Sequence, residues 1–397
     1  MCSIWLNQSN NHLVSNTTYI GSASDLPTAV GGVITLDANT AYIFTTTVNL
    51  GTSRLVCGMN TTILGYSSEV SKITSTLGTG VALITSTYTM PMRDIELSVS
   101  GSGAIILALD ATGNSNQALD WYGVNFNGGI IGTITNYNNV IITSTAVLSA
   151  VNGFSFGGTI GTIAFNQSIF SSISSGGTYI SLLNTLVITR RFRIIYSSFI
   201  VPTGATGISV HASTTIPVES FILDATNWSG IGTYLSGITS SDNKSSILNT
   251  KGLTNTASVG YLYMVSNATT TTVDTQNTYY SISGTFSAGT VNQRFTQSTS
   301  KLTYIGAISR IFNINSLTTL TSGNNQVIKI ALYKNGSIIV DSEQSTTTNG
   351  SGRTENIGVQ TFLVCVLNDE FEVRVNNTSA INDITVVSGS ISIHELA

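Results

Sequence analysis

The sequence predicts an all-β chain in two parts, a right-handed parallel β-helix followed by an antiparallel jelly-roll domain. Three observations predict it. Only 9% of the 397 residues are charged, while 41% are hydrophobic; soluble domains ordinarily carry about a quarter charged residues. Such a chain is apolar enough to bury a core, and it must present Ser, Thr, Asn and Gly to water. Its abundant Thr, Val and Ile suit strands better than helices. The second observation is a rhythm of short apolar runs separated by Gly- or Asn-rich corners. The third is a change of style beyond residue 276, where strand signals lengthen, hairpins appear and carboxylates gather.

Residues 1–30, with Trp5, Leu6, Leu13 and Pro27, read as a cap or attachment segment, because a stacked array needs its open edge covered. The opening MCSIWLNQSNNHL has no basic stretch followed by a long apolar one, so it does not read as a secretory signal. No apolar span of about 18 residues appears, which argues against membrane insertion. The three cysteines, Cys2, Cys57 and Cys365, are far apart and odd in number, which is neither a disulfide framework nor a metal site. Cys57 and Cys365 lie in apolar runs and read as small buried hydrophobes. Folding in a reducing cytoplasm is the expectation.

Residues 31–252 read as the β-helical shaft. Runs such as ALDWYGVNFNGG, GTIAFNQSIFSS, FRIIYSSFIV and ESFILDATNWSG each place an apolar alternation before an aromatic and a small or polar corner. Of the aromatics Phe126, Phe170, Phe199 and Trp228, the last three are evenly spaced, and the first interval is half as long again. A coil in the twenties of residues is a solenoid period, so the shaft holds on the order of nine or ten coils. The long first interval leaves room for two shorter ones. Asn suits the corners, since it tolerates left-handed backbone and its amide can ladder to the next coil. Asn127-Gly128 and Asn152-Gly153 are hairpin signals that keep a β-sandwich open as an alternative.

Residues 253–276 read as a junction and 277–397 as the jelly-roll head. Eight of the 19 carboxylates fall from Asp341 onward, so charge changes together with strand pattern. In IALYKNGSIIVDSE, two apolar runs flank Lys334-Asn335-Gly336, a tight-hairpin signal.

Three stretches of this last part carry a resemblance: IALYKNGSIIVDSE, FLVCVLNDEFEVRVNNTS and the final GSISIHELA. Together they resemble the tumour-necrosis-factor-like jelly rolls at the tips of viral and bacteriophage fibres. The resemblance implies a homotrimer packed by apolar faces about a threefold axis. It also implies a virion protein (a fibre, a spike or a capsid decoration) made in the host cytoplasm and acting in host attachment or assembly. Other virion proteins would be met through the N-terminal segment. Tyr279, Tyr280, Tyr304 and Phe312 are candidates for an aromatic layer on the axis, and equally for jelly-roll core.

β-Helical phage spikes of similar style often cut polysaccharide, so a tail-spike depolymerase is the alternative. Glycoside hydrolysis needs two carboxylates across the bond, yet from Trp121 to Val218 there is no Asp or Glu. Asp94 and Glu96 share strand parity, whereas Glu219 and Asp224 do not; both pairs read better as exposed strand or corner carboxylates. His12, His211 and His394 stand alone. GGTIGTIAF lacks the Lys and the helix of a phosphate loop, so no cofactor, metal or catalytic residue is assigned. The net charge of −4 and the single basic run Arg190–Arg193 give no footprint for nucleic acid; that run reads as a strand with surface arginines. Host glycan is the remaining small partner. Trp121, Tyr122, Trp228 and Tyr234 are the candidate stacking rings, with stacked core as the competing reading.

Overall fold

The computed structural model describes residues 15–101, 103–238, 244–254, 256–306, 308–350 and 352–396. Cys2, Trp5, Leu6, His12, Leu13 and Asp242 lie outside them, as does half of the predicted N-terminal segment. The chain divides into two compact units between residues 255 and 256. Among the described residues neither unit contains an α-helix; two single 3₁₀ turns, Ala23–Asp25 and Val340–Ser342, are the helical elements.

Among the described residues, the first unit is a parallel β-solenoid of three sheets with ten, nine and eight strands. The chain visits them in rotation: Thr40–Phe44 lies in the ten-stranded sheet, Thr47–Asn49 in the eight-stranded and Arg54–Cys57 in the nine-stranded. Thr62–Gly65 then returns to the first. Asn16–Ile20, within the predicted cap, is already a rung, paired in parallel with Thr40–Phe44. Coil length varies: the step from Phe44 to its partner Gly65 is clearly shorter than the step from Ile163 to its partner Phe192.

This variation resolves the uneven aromatic spacing. Phe126 pairs with Val147, Val147 with Phe170, Phe170 with Phe199 and Phe199 with Trp228. The long first interval is therefore two coils, with Val147 standing where an aromatic was sought. Rings stack directly where coils are equal: Phe170 on Phe199 at 4.2 Å and Phe199 on Trp228 at 4.0 Å between centroids, both nearly parallel.

From Asp94 onward, the corner leaving the ten-stranded sheet turns through one left-handed residue per coil. Asp94, Gly123, Ser144, Gln167, Tyr196, Ala225 and Asn249 all hold φ between 49° and 65°. Each of the first six donates its N–H to the carbonyl just before the next corner, as Tyr196 does to Asp224. The repeated backbone bond holds non-glycine residues in a conformation that costs about 1–2 kcal/mol. The amide ladder expected of Asn occurs at a different corner, where Asn60 Nδ2 donates to Asn39 Oδ1 at 2.9 Å.

Neither Asn-Gly pair of the solenoid makes a hairpin. Asn152-Gly153 opens the parallel strand Asn152–Gly157, and Asn127 ends Asn125–Asn127 with Gly128 at a corner, φ 81°. Glycine serves close approach in the first case, since a Cβ on Gly153 would lie 1.9 Å from the carbonyl oxygen of Tyr179. The sandwich alternative therefore fails for this unit.

Among the described residues, the second unit is a jelly-roll-like pair of antiparallel sheets, six- and seven-stranded, closed over one core. Val259–Met264, inside the predicted junction, is one of its strands and pairs with Ile384–Glu395. The predicted hairpin forms, with Lys334 opposite Ser337, Asn335 at φ 51° and Gly336 at φ 77°. Its second strand is shorter than the sequence suggests: it ends at Ile338, ahead of the turn Val340–Ser342. Cys57 and Cys365 are buried in the two cores, and loss of hydration pushes both thiols up to about 12.

Candidate interaction surfaces

The four predicted stacking rings divide by burial. Trp121 is fully buried, and its indole N–H donates to the Met90 carbonyl at 2.9 Å. Trp228 is 3% exposed, with Phe199 stacked on its indole and its N–H bonded to Thr226 Oγ1. Neither presents a face to a sugar, which corrects the glycan assignment for both: inward positions of a solenoid strand go to its core. Tyr234 packs on Trp228 and donates to the Gly230 carbonyl at 2.8 Å. Tyr122 is exposed, on the opposite side of its strand from Trp121.

The two carboxylate pairs weighed for hydrolysis do not share a strand face, and Glu96 and Glu219 are buried rather than exposed as the sequence suggests. Asp94 occupies the left-handed corner at φ 52°, which breaks the shared strand face. Burial pushes its carboxyl up, partly offset by the charge of Arg93. Glu96 is buried and taken up by Lys72 at 2.9 Å and Asn127 Nδ2 at 3.2 Å. Glu219 likewise sits at a corner, φ 52°, and Asp224 accepts from Asn249 Nδ2. His211 Nδ1 accepts a local turn bond from Ser213, and among the described residues no three His, Cys, Asp or Glu cluster.

The most distinctive surface belongs to the second unit. Its seven-stranded sheet carries the charge: Lys301–Glu370, Lys329–Glu343 and Lys334–Asp369 pair at 2.7 Å each, and Arg374 pairs with Glu372. Tyr279 donates to Glu343 at 2.6 Å on the same side; burial first, then this bond, pushes its hydroxyl up. Half of the eight carboxylates that gather at the end of the sequence, Glu343, Asp369, Glu370 and Glu372, therefore serve this one sheet.

The six-stranded sheet is the opposite. Strands Val259–Met264, Ile384–Glu395, Arg310–Thr321 and Glu355–Cys365 lie side by side in that order. Alternate residues of each enter the core, and their neighbours form rows across the outer face. One row runs Val259, His394, Asn313, Phe362; the next Tyr261, Ser392, Asn315, Gln360; the third Tyr263, Ser390, Leu317, Gly358. Leu317 and Phe362 are each 58% exposed, and Ile311 and Val364, directly opposite each other, are about half exposed. Gly358 places no side chain opposite Leu317, which leaves a hollow of about 400 Å³ beside it. The ion pair Arg310–Glu395 of this sheet is mostly buried at the strand ends.

None of the four candidates for an axial aromatic layer stands in these rows. Tyr304 and Phe312 are fully buried, Tyr280 packs partly against the same core, and Tyr279 is held by Glu343. Core, the other reading of these residues, is where Tyr304 and Phe312 stand; Phe312 is inward, so its neighbours Ile311 and Asn313 face out. The exposed residues of the rows were legible as alternation, but which side is covered by the second sheet is not written in one strand.

No family model matches the chain, and no curated protein matches it. Among solved structures, Eiger TNF from S. frugiperda aligns with TM-score 0.26 and 10% identity, over 36% of this chain and 93% of its own. Murine APRIL aligns with TM-score 0.26 and 8% identity, over 35% and 99%. PRD1 vertex protein P5 aligns with TM-score 0.24 and 14% identity, over 36% and 98%. Each covers about a third of the chain at a low score and carries no functional inference.

Proposed function

We propose that this chain is a non-catalytic structural protein of a virus particle, associating as a homotrimer through the outer face of the six-stranded sheet and serving attachment to a host surface. The observation that carries self-association is the unequal treatment of the two sheets. One is laced with ion pairs, while the other exposes Leu317, Phe362, Ile311 and Val364 among uncharged residues. Contiguous apolar surface on a β-sheet is costly in water and marks an interaction face. Full burial of an exposed side chain of this kind is worth about 1.5–3 kcal/mol, so covering each of these half-exposed ones contributes about half of that. A second copy of the same uncharged face leaves no charge unpaired, so self-association fits the chemistry.

The count of three, the virion setting and docking to other virion proteins through residues 1–30 rest on the resemblance of residues 277–397 to viral fibre tips. Attachment by three weak sites would gain by avidity. A depolymerase reading would need a pair of unoccupied carboxylates; the two pairs considered are separated by corners, and one member of each, Glu96 and Asp224, is held by other residues.

Light scattering of the full-length protein tests this reading. A mass near three times 41.8 kDa is expected, falling to the monomer value in Leu317→Arg. A stable wild-type monomer overturns it.

A further inference from the structure

Three neighbouring arginines of the solenoid, Arg190, Arg191 and Arg193, stand out against their surroundings. From Trp121 to Val218 they are the only Lys, Arg, Asp or Glu residues. All lie on the strand Val187–Ile195, with Phe192 inward and Arg190 and Arg191 exposed. Among the described residues none of them meets a carboxylate. Burial lowers the pKa of Arg193, and the charge of Arg191 lowers it further.

Beside this strand runs a polar groove of about 560 Å³. One wall is the loop 111–116, and the floor crosses successive coils through Asn136, Asn138, Thr159, Gly161 and Thr189. Arg190 forms its edge: Nη2 donates to Asn138 Oδ1 and Asn139 Oδ1, both at 2.8 Å, and to the Asn138 carbonyl at 3.2 Å. Gly161 makes room for this, since a Cβ there would lie 2.6 Å from Nη2. Gly158 does the same for Asn136, whose Oδ1 would be 2.1 Å from its Cβ. The Gly-rich run 157–161 thus clears space for groove side chains. Arg191 follows directly, opposite Thr162.

We propose that this groove binds an acidic oligosaccharide, with sugar hydroxyls along the Asn and Thr floor and the acidic group on the arginine edge. Amides and hydroxyls both donate and accept, which matches sugar hydroxyls. A guanidinium fork matches carboxylate or sulfate. Three cations beside a groove whose lining holds no aromatic are a poor fit to single-stranded nucleic acid, which calls for a long basic track and stacking rings. As the contact point of an attachment protein the site rests on the reading above; as a binding site it stands without it.

The test is calorimetric titration of the full-length protein with four probes: oligogalacturonate, a heparin-derived sulfated oligosaccharide, a neutral maltooligosaccharide and a single-stranded DNA. Binding of either acidic sugar, weakening with salt, is expected, and which one binds identifies the acidic group. Arg191→Gln, an exposed change, is expected to weaken it about tenfold or more. Thr189→Tyr, which fills the groove from an exposed position, is expected to abolish it at an unchanged melting midpoint. Four results would each overturn the proposal: equal binding of the neutral sugar, tighter binding of DNA, no response to Arg191→Gln, or no binding at all. Because light scattering reports on a face of the other unit, failure here and failure of the trimer are separate outcomes.

Discussion

Backbone geometry sets the tolerance of single residues in the solenoid more than side-chain chemistry does. Gly153 shows this in its sharpest form. Its Cα lies so close to the next coil that an added Cβ would stand 1.9 Å from the Tyr179 carbonyl oxygen, and that neighbour is backbone in a paired strand. Gly153→Ala must therefore push two coils apart. A loss of about 3 kcal/mol or more is expected, at the upper end for single changes, seen as a lower denaturant midpoint. Gly113, also within the solenoid, has open space around its Cβ position but φ 81°. Gly113→Ala there meets only conformational strain, about 1–2 kcal/mol, so the two variants separate contact from dihedral cost.

At the scale of elements, the aromatic column and the left-handed corners decide how coils register. Phe199 lies between Phe170 and Trp228, all three fully or almost fully buried. Phe199→Ala leaves a gap between two equal coils and is expected to cost about 3–5 kcal/mol, read as an earlier solenoid melting transition. This column was half legible. The even spacing of Phe170, Phe199 and Trp228 gave the period directly, while Val147 at the intervening level hid a coil because a β-branched residue fills the inward site as well as a ring. The same inwardness made Trp121 and Trp228 poor choices for a glycan site. The polar groove was invisible because its floor comes from residues dozens of positions apart. Corner chemistry also links to pH. Burial would raise the Asp110 carboxyl, but bonds from Thr112, Asn136, Thr135 and the Thr112 amide outweigh it and hold it at about 2, below its ordinary 3.8. A depressed folded pKa contributes stability that is present above the unfolded value and lost as pH falls through the folded one. The stability gap between wild type and Asp110→Asn is thus expected to close as pH drops from about 4 toward 2, measured by denaturant midpoints along that series.

For the whole molecule, two separate cores imply two separable unfolding events, and self-association should mark just one of them. The solenoid core runs from Ile20 to Ile247 and the second core from Leu262 to Ile393, with no residue in common. Association that favours the folded state makes a melting temperature depend on protein concentration. If copies meet through the six-stranded sheet, only the transition of the second unit should rise with concentration. Phe362→Glu places a charge on the outer face without entering the core, since its neighbours Thr361 and Leu363 are the ones turned inward. In that variant the concentration dependence of the second transition is expected to vanish, while the solenoid transition stays where it was. Calorimetry over a hundredfold range of protein concentration reads both at once. Concentration dependence confined to the solenoid transition would move the interface to the other unit. Dependence that survives Phe362→Glu would take it off this face altogether.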